Sequence, residues 1–340
     1  MTDFSKSYSS RWAVYKVNNR TWEDAEPTGS FMSASIERSV GQLLESGKFT
    51  VDMDSEFSEG YYRLVLYATQ DGATERHDVA TLLCMSAGDT SDRKSTVLDI
   101  VGQSVLYPAS VRRVMPCTYV RAGSDGCEFA AKMLRESISA PVSAVGSFAV
   151  SSDIVFDINA TYMDCITQVL ESGGFYVSID GRGNVSVRSL PDKASGSIKP
   201  THLMPETSGD MDTSSVPNRY VAMENGELAV AVNESPSSEV STVSRGYVRD
   251  PDDGIDQSPI RVGSETLKEY CERRLKELSV LLVTRSYVRE YDDVTRPMDL
   301  VNGPLGTDYE NVTVRIQNQS LECGNGIVIS ERGAMEVSLW

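Results

Sequence analysis

The chain of 340 residues has room for two or three domains at roughly 100–200 residues each, and a 40% hydrophobic, 24% charged composition excludes wholesale disorder. A formal net charge of -17 with no Lys/Arg block argues against direct nucleic-acid binding. Six cysteines without a CxxC pair, and only His77 and His202 beside them, argue against a zinc site and read as small buried hydrophobes in a reducing compartment.

The opening MTDFSKSYSSRW lacks the apolar core of a signal peptide, and no run of about 18 apolar residues offers a membrane span, so folding in a cytoplasm is expected. From Trp12 to about Val114 the pattern is mostly period two. RWAVYKV, GKFTVDM, YYRLVLYA, DVATLLCM and STVLDIVGQSVL are β-branched and aromatic runs bounded by Gly, Asp and Ser, which implies a barrel or sandwich. Within this region SASIERSVGQLLESGKFTVDMD is ambiguous, because Ile36, Val40, Leu43 and Leu44 have helical spacing. A helix there would carry Gly41 inside and be only about ten residues long. The expected arrangement is a strand over Phe31–Glu37, a loop or single helical turn over Arg38–Gly47, and a strand over Lys48–Asp54. Gly41 and Gly47 would mark the connection, with Ile36, Phe49, Val51 and Met53 as core candidates.

Around residue 115 the grammar changes. DGCEFAAKMLRESI places Cys127, Ala130, Ala131, Leu134 and Ile138 on one helical face, with Ser124 or Asp125 as its N-cap. NATYMDCITQVLESGG follows as a second helix, with Asn159 as the expected cap and Gly173 and Gly174 as its stop. FYVSIDGRGNVSVRSL then reads as a hairpin. Residues from Pro191 to Ser215 look like a polar connection, after which NRYVAME and LAVAVNE face each other across a turn at Glu224–Glu227. SETLKEYCERRLKELSVLL is the third helix, with Ser264 as the expected cap and Leu267, Cys271, Leu275 and Leu278 along one face. TRSYVREYDD, ENVTVRIQNQSLE and GIVISERGAMEVSLW return to strands. The expected domains are a β-rich one over 1–114, a small α+β one over 115–200, and a second β domain over 201–340 interrupted by a helix at about 263–281.

Reactive constellations are scarce. GxSxG, HExxH, GxxxxGK[ST] and a helix-opening GxGxxG are all missing from the sequence. The glycines of GRGN lie between two strands and read as a hairpin turn. His77, between Glu75 and Asp78, reads as a solvated residue at a strand end, and His202 falls in the polar connection. RDPDDGIDQ clusters oxygen ligands of the kind calcium takes but lacks the closing Glu of an EF-hand, so it reads as a solvated loop. A glycosidase pair of carboxylates has no support in the pattern. No catalytic, cofactor-binding or metal-binding residue is assigned.

The order of elements resembles the hub proteins of phage tails, found at the baseplate of contractile tails and at the tip of long non-contractile ones. Three stretches carry the likeness: SASIERSVGQLLESGKFTVDM with YYRLVLYA; ATYMDCITQVLESGGFYVSIDGRGNVSVRSL; and SSVPNRYVAM, SETLKEYCERRLKELS and VRIQNQSLECGNGIVISERG. Where many relatives carry a clear Gly-Asp strand, this chain has YDDVTRPMDLVNGPLG. The resemblance implies an α+β, predominantly β fold, with two β-barrel-like domains flanking the small α+β domain. It further implies a homotrimer whose six barrels adapt a six-fold tail tube to a three-fold tip, with DNA passing through a bore lined by acidic residues. The implied partners are the tail tube or distal tail protein ring, a tip or spike protein and the tape measure protein, in a virion assembled in the host cytoplasm. Such a hub needs no enzymatic activity and no cofactor. The alternatives are a tail-associated peptidoglycan-degrading enzyme, for which no Cys/His or HExxH arrangement is present, and an adhesin, for which no repetitive or aromatic-rich tip is present.

Overall fold

The structure is a computed structural model that describes residues 2–41, 44–52, 57–91, 96–151, 153–211, 213–257, 259, 265–306 and 310–338. The chain forms two compact units, Met1–Glu206 with Tyr287–Arg332, and Thr207–Ser286 with Gly333–Trp340. Strands β1 (Ser9–Val17), β2 (Asp24–Pro27), β3 (Ser30–Ser39), β4 (Glu45–Asp52), β5 (Gly60–Gln70), β6 (Ala73–Ser91) and β7 (Thr96–Ser104) come first. They are followed by α1 (Tyr107–Val111), β8 (Tyr119–Val120), α2 (Gly126–Ser137), β9 (Val142–Ala144), β10 (Ile154–Val155), α3 (Tyr162–Ser172), β11 (Phe175–Ile179) and β12 (Val185–Ser189). After β13 (Gly196–Ser197), β14 (Leu203–Met211) leads into the second unit, which holds β15 (Arg219–Glu224), β16 (Glu227–Val232), α4 (Thr242–Arg245) and α5 (Leu267–Leu278). The chain returns through β17 (Val280–Glu290) to β18 (Leu300–Gly303), β19 (Val312–Cys323) and β20 (Ile327–Ser338). The fold is α+β and predominantly β, as the sequence implies.

In the first unit the sheet follows the open path β17-β20-β19-β3-β4-β7-β6-β5-β1-β2. Its last strand is four residues long, carries Asp24 and ends in Pro27, a short charged edge that resists pairing with another chain. Inward positions alternate with outward ones, so Ile36, Phe49, Val51, Leu64, Leu82, Ile100, Leu321 and Ile329 are fully buried in one core. The ambiguous stretch is two strands. Both β3 and β4 run closer to the turn than expected, while Gln42, Leu43 and Met53 lie outside the described residues. Gly41, at φ 138, turns the chain. Gly47 does not: it sits inside β4 opposite Ile36, where a Cβ would stand 2.6 Å from Ile36 Cδ1 and 2.7 Å from the Ser35 carbonyl oxygen.

A second core joins α2, α3 and the β11–β12 hairpin. Asp125 caps α2 by accepting hydrogen bonds from the Cys127 and Glu128 amides. The cap of α3 is Thr161, in a capping box with Asp164, and not Asn159, whose side chain instead accepts from Arg113 at 2.8 Å. The tip of the hairpin docks on the sheet: Trp22 Nε1 and Arg63 Nη2 each donate to the Arg182 carbonyl at 2.8 Å, and Thr81 Oγ1 donates to the Gly181 carbonyl at 2.9 Å. The approach is so close that a Cβ on Gly181 would lie 1.6 Å from the Asp78 carbonyl oxygen. GRGN is thus a turn, as expected, and also the contact by which the small helical layer is fixed to the sheet.

In the second unit β15 and β16 pair antiparallel across Asn225 and Gly226, both at positive φ (50 and 82), a two-residue turn matched to strand twist. Tyr220, Ala222 and Ala231 pack against Tyr270, Cys271 and Leu275 of α5. The cap of α5 is Thr266, with Glu269 closing the box, and the expected cap Ser264 lies outside the described residues. The segment 191–215 is more than a connection, because it contains β13, a short 3-10 turn at Pro200–His202 and β14. Backbone pairing of β14 with β17 supplies what the sequence PETSGDM lacks in strand propensity. Five cysteines are buried, whereas Cys117 is exposed at φ 67 in a turn, against the expectation that all six are core residues. Among the described residues no helix is long and apolar enough to cross a membrane.

Candidate functional site

The alternation that buries Ala34 and Ile36 on β3 also turns Arg38 inward, and the phase that buries Ile327 and Ile329 on β20 does the same to Glu331. Gln319 shares the inward phase of Leu321 and Cys323 on β19. Charges delivered to a core must find one another, and here they do so through the segment after β17. Arg289 donates from Nε to Glu331 Oε2 at 2.8 Å and from Nη2 to Oε1 at 2.7 Å, and also donates to Asp292 and to the Thr295 hydroxyl. Gln319 Nε2 donates to Glu331 Oε1 at 2.6 Å, and Gln319 Oε1 accepts from Arg38 Nη1 at 3.4 Å. Arg38 Nε donates to Glu45 Oε1 at 2.9 Å. Burial pushes the Glu45 carboxyl above its ordinary value although Arg38 opposes the shift, and Glu45 Oε2 has no hydrogen-bond partner among the described residues.

The segment YDDVTRPMDLVNGPLG provides most of the remaining polar groups. Asp292 folds back on its own backbone, accepting from the Val294 amide at 2.9 Å and the Thr295 amide at 2.6 Å. Asp293 Oδ2 lies 2.9 Å from His77 Nδ1, and Thr2 Oγ1 lies 3.1 Å from His77 Nε2. His77 is therefore not the solvated strand-end residue expected: it is 4% exposed, paired on both ring nitrogens, with Phe4 edge-on at 5.1 Å. Carboxylate, imidazole and hydroxyl are connected as in a nucleophile relay, but the Thr2 hydroxyl is shared with Glu75 at 2.9 Å and the ring is covered. The arrangement ties the N-terminal segment to the loop after β17 and leaves no open face for a substrate.

Arg296 is 7% exposed, with Nη1 donating to the Thr295 carbonyl at 2.9 Å. It borders a cleft of about 480 Å³ whose other wall is β9, β11 and β12, with Ser143, Ser178, Asn184, Ser186 and Arg188 facing in. Apart from Asn184, which closes the GRGN turn, none of these residues stands in a sequence motif. Their only advance signal is a charge placed at an inward phase of a strand, which Arg38 and Glu331 share and Arg296, in a loop, does not.

The acidic loop 249–257 of the second unit disperses its carboxylates. Asp250 pairs with Arg219 through both oxygens at 2.7 and 2.6 Å, Asp252 pairs with Arg249, and Asp256 accepts from the Tyr220 and Tyr270 hydroxyls. Among the described residues no group of three or more His, Cys, Asp or Glu side chains is arranged to hold a metal ion. On the face of the β15–β16 hairpin away from α5, the cross-strand pairs Val221–Val230 and Met223–Leu228 lie beside Val232. Met223, Leu228, Val230 and Val232 are 36–58% exposed, an apolar sheet face without cover among the described residues of its own unit.

Sequence comparison finds no matching protein-family model and no matching curated protein. Structural comparison does find similar folds. The tail protein from Neisseria meningitidis MC58 is similar with a TM-score of 0.66 at 14% identity, over 96% of this chain and 97% of that one. A tail protein of prophage MuSo2 from Shewanella oneidensis gives 0.63 at 12% identity, over 95% and 97%. The prophage tail protein gp18 from Listeria monocytogenes EGD-e gives 0.52 at 14% identity, over 94% of each chain. The fold of this chain is that of phage tail proteins, as the three quoted stretches imply.

Proposed function

We propose that this chain is a structural component of a phage tail tip or baseplate, a trimeric hub that adapts a six-fold tail tube to a three-fold tip and lines the passage for DNA. The observation that carries the reading is fold similarity over nearly the whole length of both this chain and two tail proteins. In this reading the hub docks on the tail tube or distal tail ring on one side and on a tip or spike protein on the other, with the tape measure protein above it. It has no enzymatic role. The net charge of -17 suits a wall along which DNA must slide without adhering. The uncovered Val221, Met223, Leu228, Val230 and Val232 face suits the apolar centre of a contact with a second copy of the chain.

Light scattering and electron microscopy of the purified chain test the proposal. A three-fold ring is expected; a monomer that persists at high concentration overturns it. Digestion of purified peptidoglycan by the protein would overturn the non-enzymatic part separately.

A further inference from the structure

The sequence holds three Asn-Gly pairs, Asn225–Gly226, Asn302–Gly303 and Asn325–Gly326. Asparagine is thermolabile, and a following glycine has no Cβ to keep its amide nitrogen away from the asparagine side chain. Sequence alone does not rank the three. Their surroundings in the fold do.

Asn302 lies in β18 opposite Thr313 of β19, with Nδ2 donating to Thr313 Oγ1 at 3.0 Å and its carbonyl accepting from the Ile198 amide at 2.7 Å. Gly303 is buried, and a Cβ there would stand 3.0 Å from Ile198 Cβ. Asn325 is exposed in the turn between β19 and β20, but its carbonyl accepts from Ser10 Oγ at 3.2 Å, and the Gly326 carbonyl accepts from the Gly324 amide at 2.9 Å. Asn225 is different. It is exposed at the tip of the β15–β16 hairpin, and the Asn225 carbonyl and Gly226 amide, which belong to one peptide group, make no hydrogen bond among the described residues. The φ values of 50 at Asn225 and 82 at Gly226 mark a type I′ turn.

That turn is one rotation away from a reactive geometry. Closing an imide ring between the asparagine side chain and the next amide nitrogen fixes ψ of the asparagine at about −120°, which with a positive φ is the first central position of a type II′ turn. Types I′ and II′ both close two-residue hairpins, so turning the unbonded peptide over brings the Gly226 nitrogen towards Asn225 Cγ while β15 and β16 stay paired. The same rotation at Asn325 breaks the bond from Ser10, and at Asn302 it requires β18 to leave β19.

We propose that Asn225 is a site of spontaneous deamidation, the first of the three asparagines to react. The Gly226 amide nitrogen gives its proton to water and attacks Asn225 Cγ; the N–Cγ bond forms, the Cγ–Nδ2 bond breaks, and ammonia leaves. Water then opens the cyclic imide. Cleavage at Cγ yields aspartate, and cleavage at the main-chain carbonyl yields isoaspartate, whose backbone runs through the side chain and is longer by one methylene. Water is consumed and ammonia released, with no change of oxidation state. The products place a new negative charge between Glu224 and Glu227, and the isoaspartyl form no longer fits a two-residue turn matched to the twist of its strands. The inference does not depend on the tail-hub reading.

The test is incubation of the folded full-length chain at mildly alkaline pH in heavy-oxygen water, followed by digestion in ordinary water and mass spectrometry of the three Asn-Gly peptides. Label from the solvent then marks conversion in the folded protein and not during digestion. Labelled aspartate and isoaspartate are expected first at Asn225, about tenfold or more ahead of Asn302, whose reaction waits on local strand opening. In urea the three rates should converge. Conversion of Asn325 or Asn302 ahead of Asn225, equal rates in the folded chain, no conversion at Asn225, or the same ranking in urea as in the folded chain each overturns the assignment. Asn225→Gly keeps a residue suited to a type I′ turn and removes the reactive amide, so the first acidic form resolved by ion exchange of the aged parent should be missing from this variant. Its persistence there overturns the site as well.

Discussion

Arg289 and Glu331 face each other across neighbouring strands with both carboxylate oxygens accepting, at 2.8 and 2.7 Å, and their side chains are 5% and 0% exposed. A pair so enclosed is held by geometry more than by net energy, since desolvation offsets most of the attraction. Removing one partner is another matter. Glu331→Ala leaves Arg289 buried with Asp292 as its remaining counterion among the described residues and takes from Gln319 the shorter of its two acceptors, the other being the Thr295 carbonyl at 3.3 Å, so a loss of about 3–5 kcal/mol in urea unfolding is expected. Paired replacement, Arg289→Met with Glu331→Leu, should cost less than the sum of the two single changes.

Acid should loosen the same region. The hydrogen bond from His77 holds the Asp293 carboxyl below its ordinary value of 3.8. A depressed carboxyl contributes stability that is present above its unfolded value and lost as pH falls through the folded one. Stability should therefore fall below about pH 4, and Asp293→Asn should flatten that limb in chemical unfolding followed as a function of pH.

Alkali acts through a different residue. Burial pushes the Tyr291 hydroxyl up to about 12 from 10.0, so the folded state retains a proton that the unfolded state releases. The sign is opposite to that of Asp293, and stability should decline as pH rises from 10 towards 12. The Tyr291 hydroxyl is buried without a hydrogen-bond partner among the described residues, so Tyr291→Phe should leave stability at pH 7 within about 1 kcal/mol and reduce the alkaline loss. A large loss at neutral pH would show that this hydroxyl has a partner after all.

Gly181→Ala should separate the hairpin tip from the sheet, because the new methyl group would collide with the Asp78 carbonyl at 1.6 Å, and backbone cannot move aside as a flexible side chain can. The expected cost is about 3 kcal/mol, the upper end for overpacking. Gly88→Ala, with open space around the added Cβ and ordinary φ, is the neutral control in thermal unfolding.

Leu228→Asp with Val230→Asp tests the uncovered hairpin face. Both positions are exposed, so circular dichroism should match the parent, while light scattering should show weaker self-association. An unchanged trimer would move the subunit contact elsewhere.

Much of this was legible residue by residue. The helices α2, α3 and α5 follow from periodicity, and the hairpins β11–β12 and β15–β16 follow from turn chemistry. Local pattern also located caps within about two residues but mistook Asn159 for Thr161, because either residue type can accept from a free helix amide. Other features had no local signature. Gly47 resembles a turn glycine, but it is needed for space under Ile36; His77 looks solvated until Asp293, 216 residues away, covers it. Arg296 gave no signal at all, since a loop lacks the periodicity that betrays an inward charge.

The pairing of β19 with β3 sets Leu321 opposite Ile36, and Arg38 reaches Gln319 from 281 positions away. Everything in the second unit except its last strand segment lies between them in the chain. On a ribosome, β3 must therefore wait with one side unpaired while more than half of the polypeptide is still being made. That wait makes the exposed edge of β3 the vulnerable moment of biosynthesis, when a second nascent chain could take the place reserved for β19.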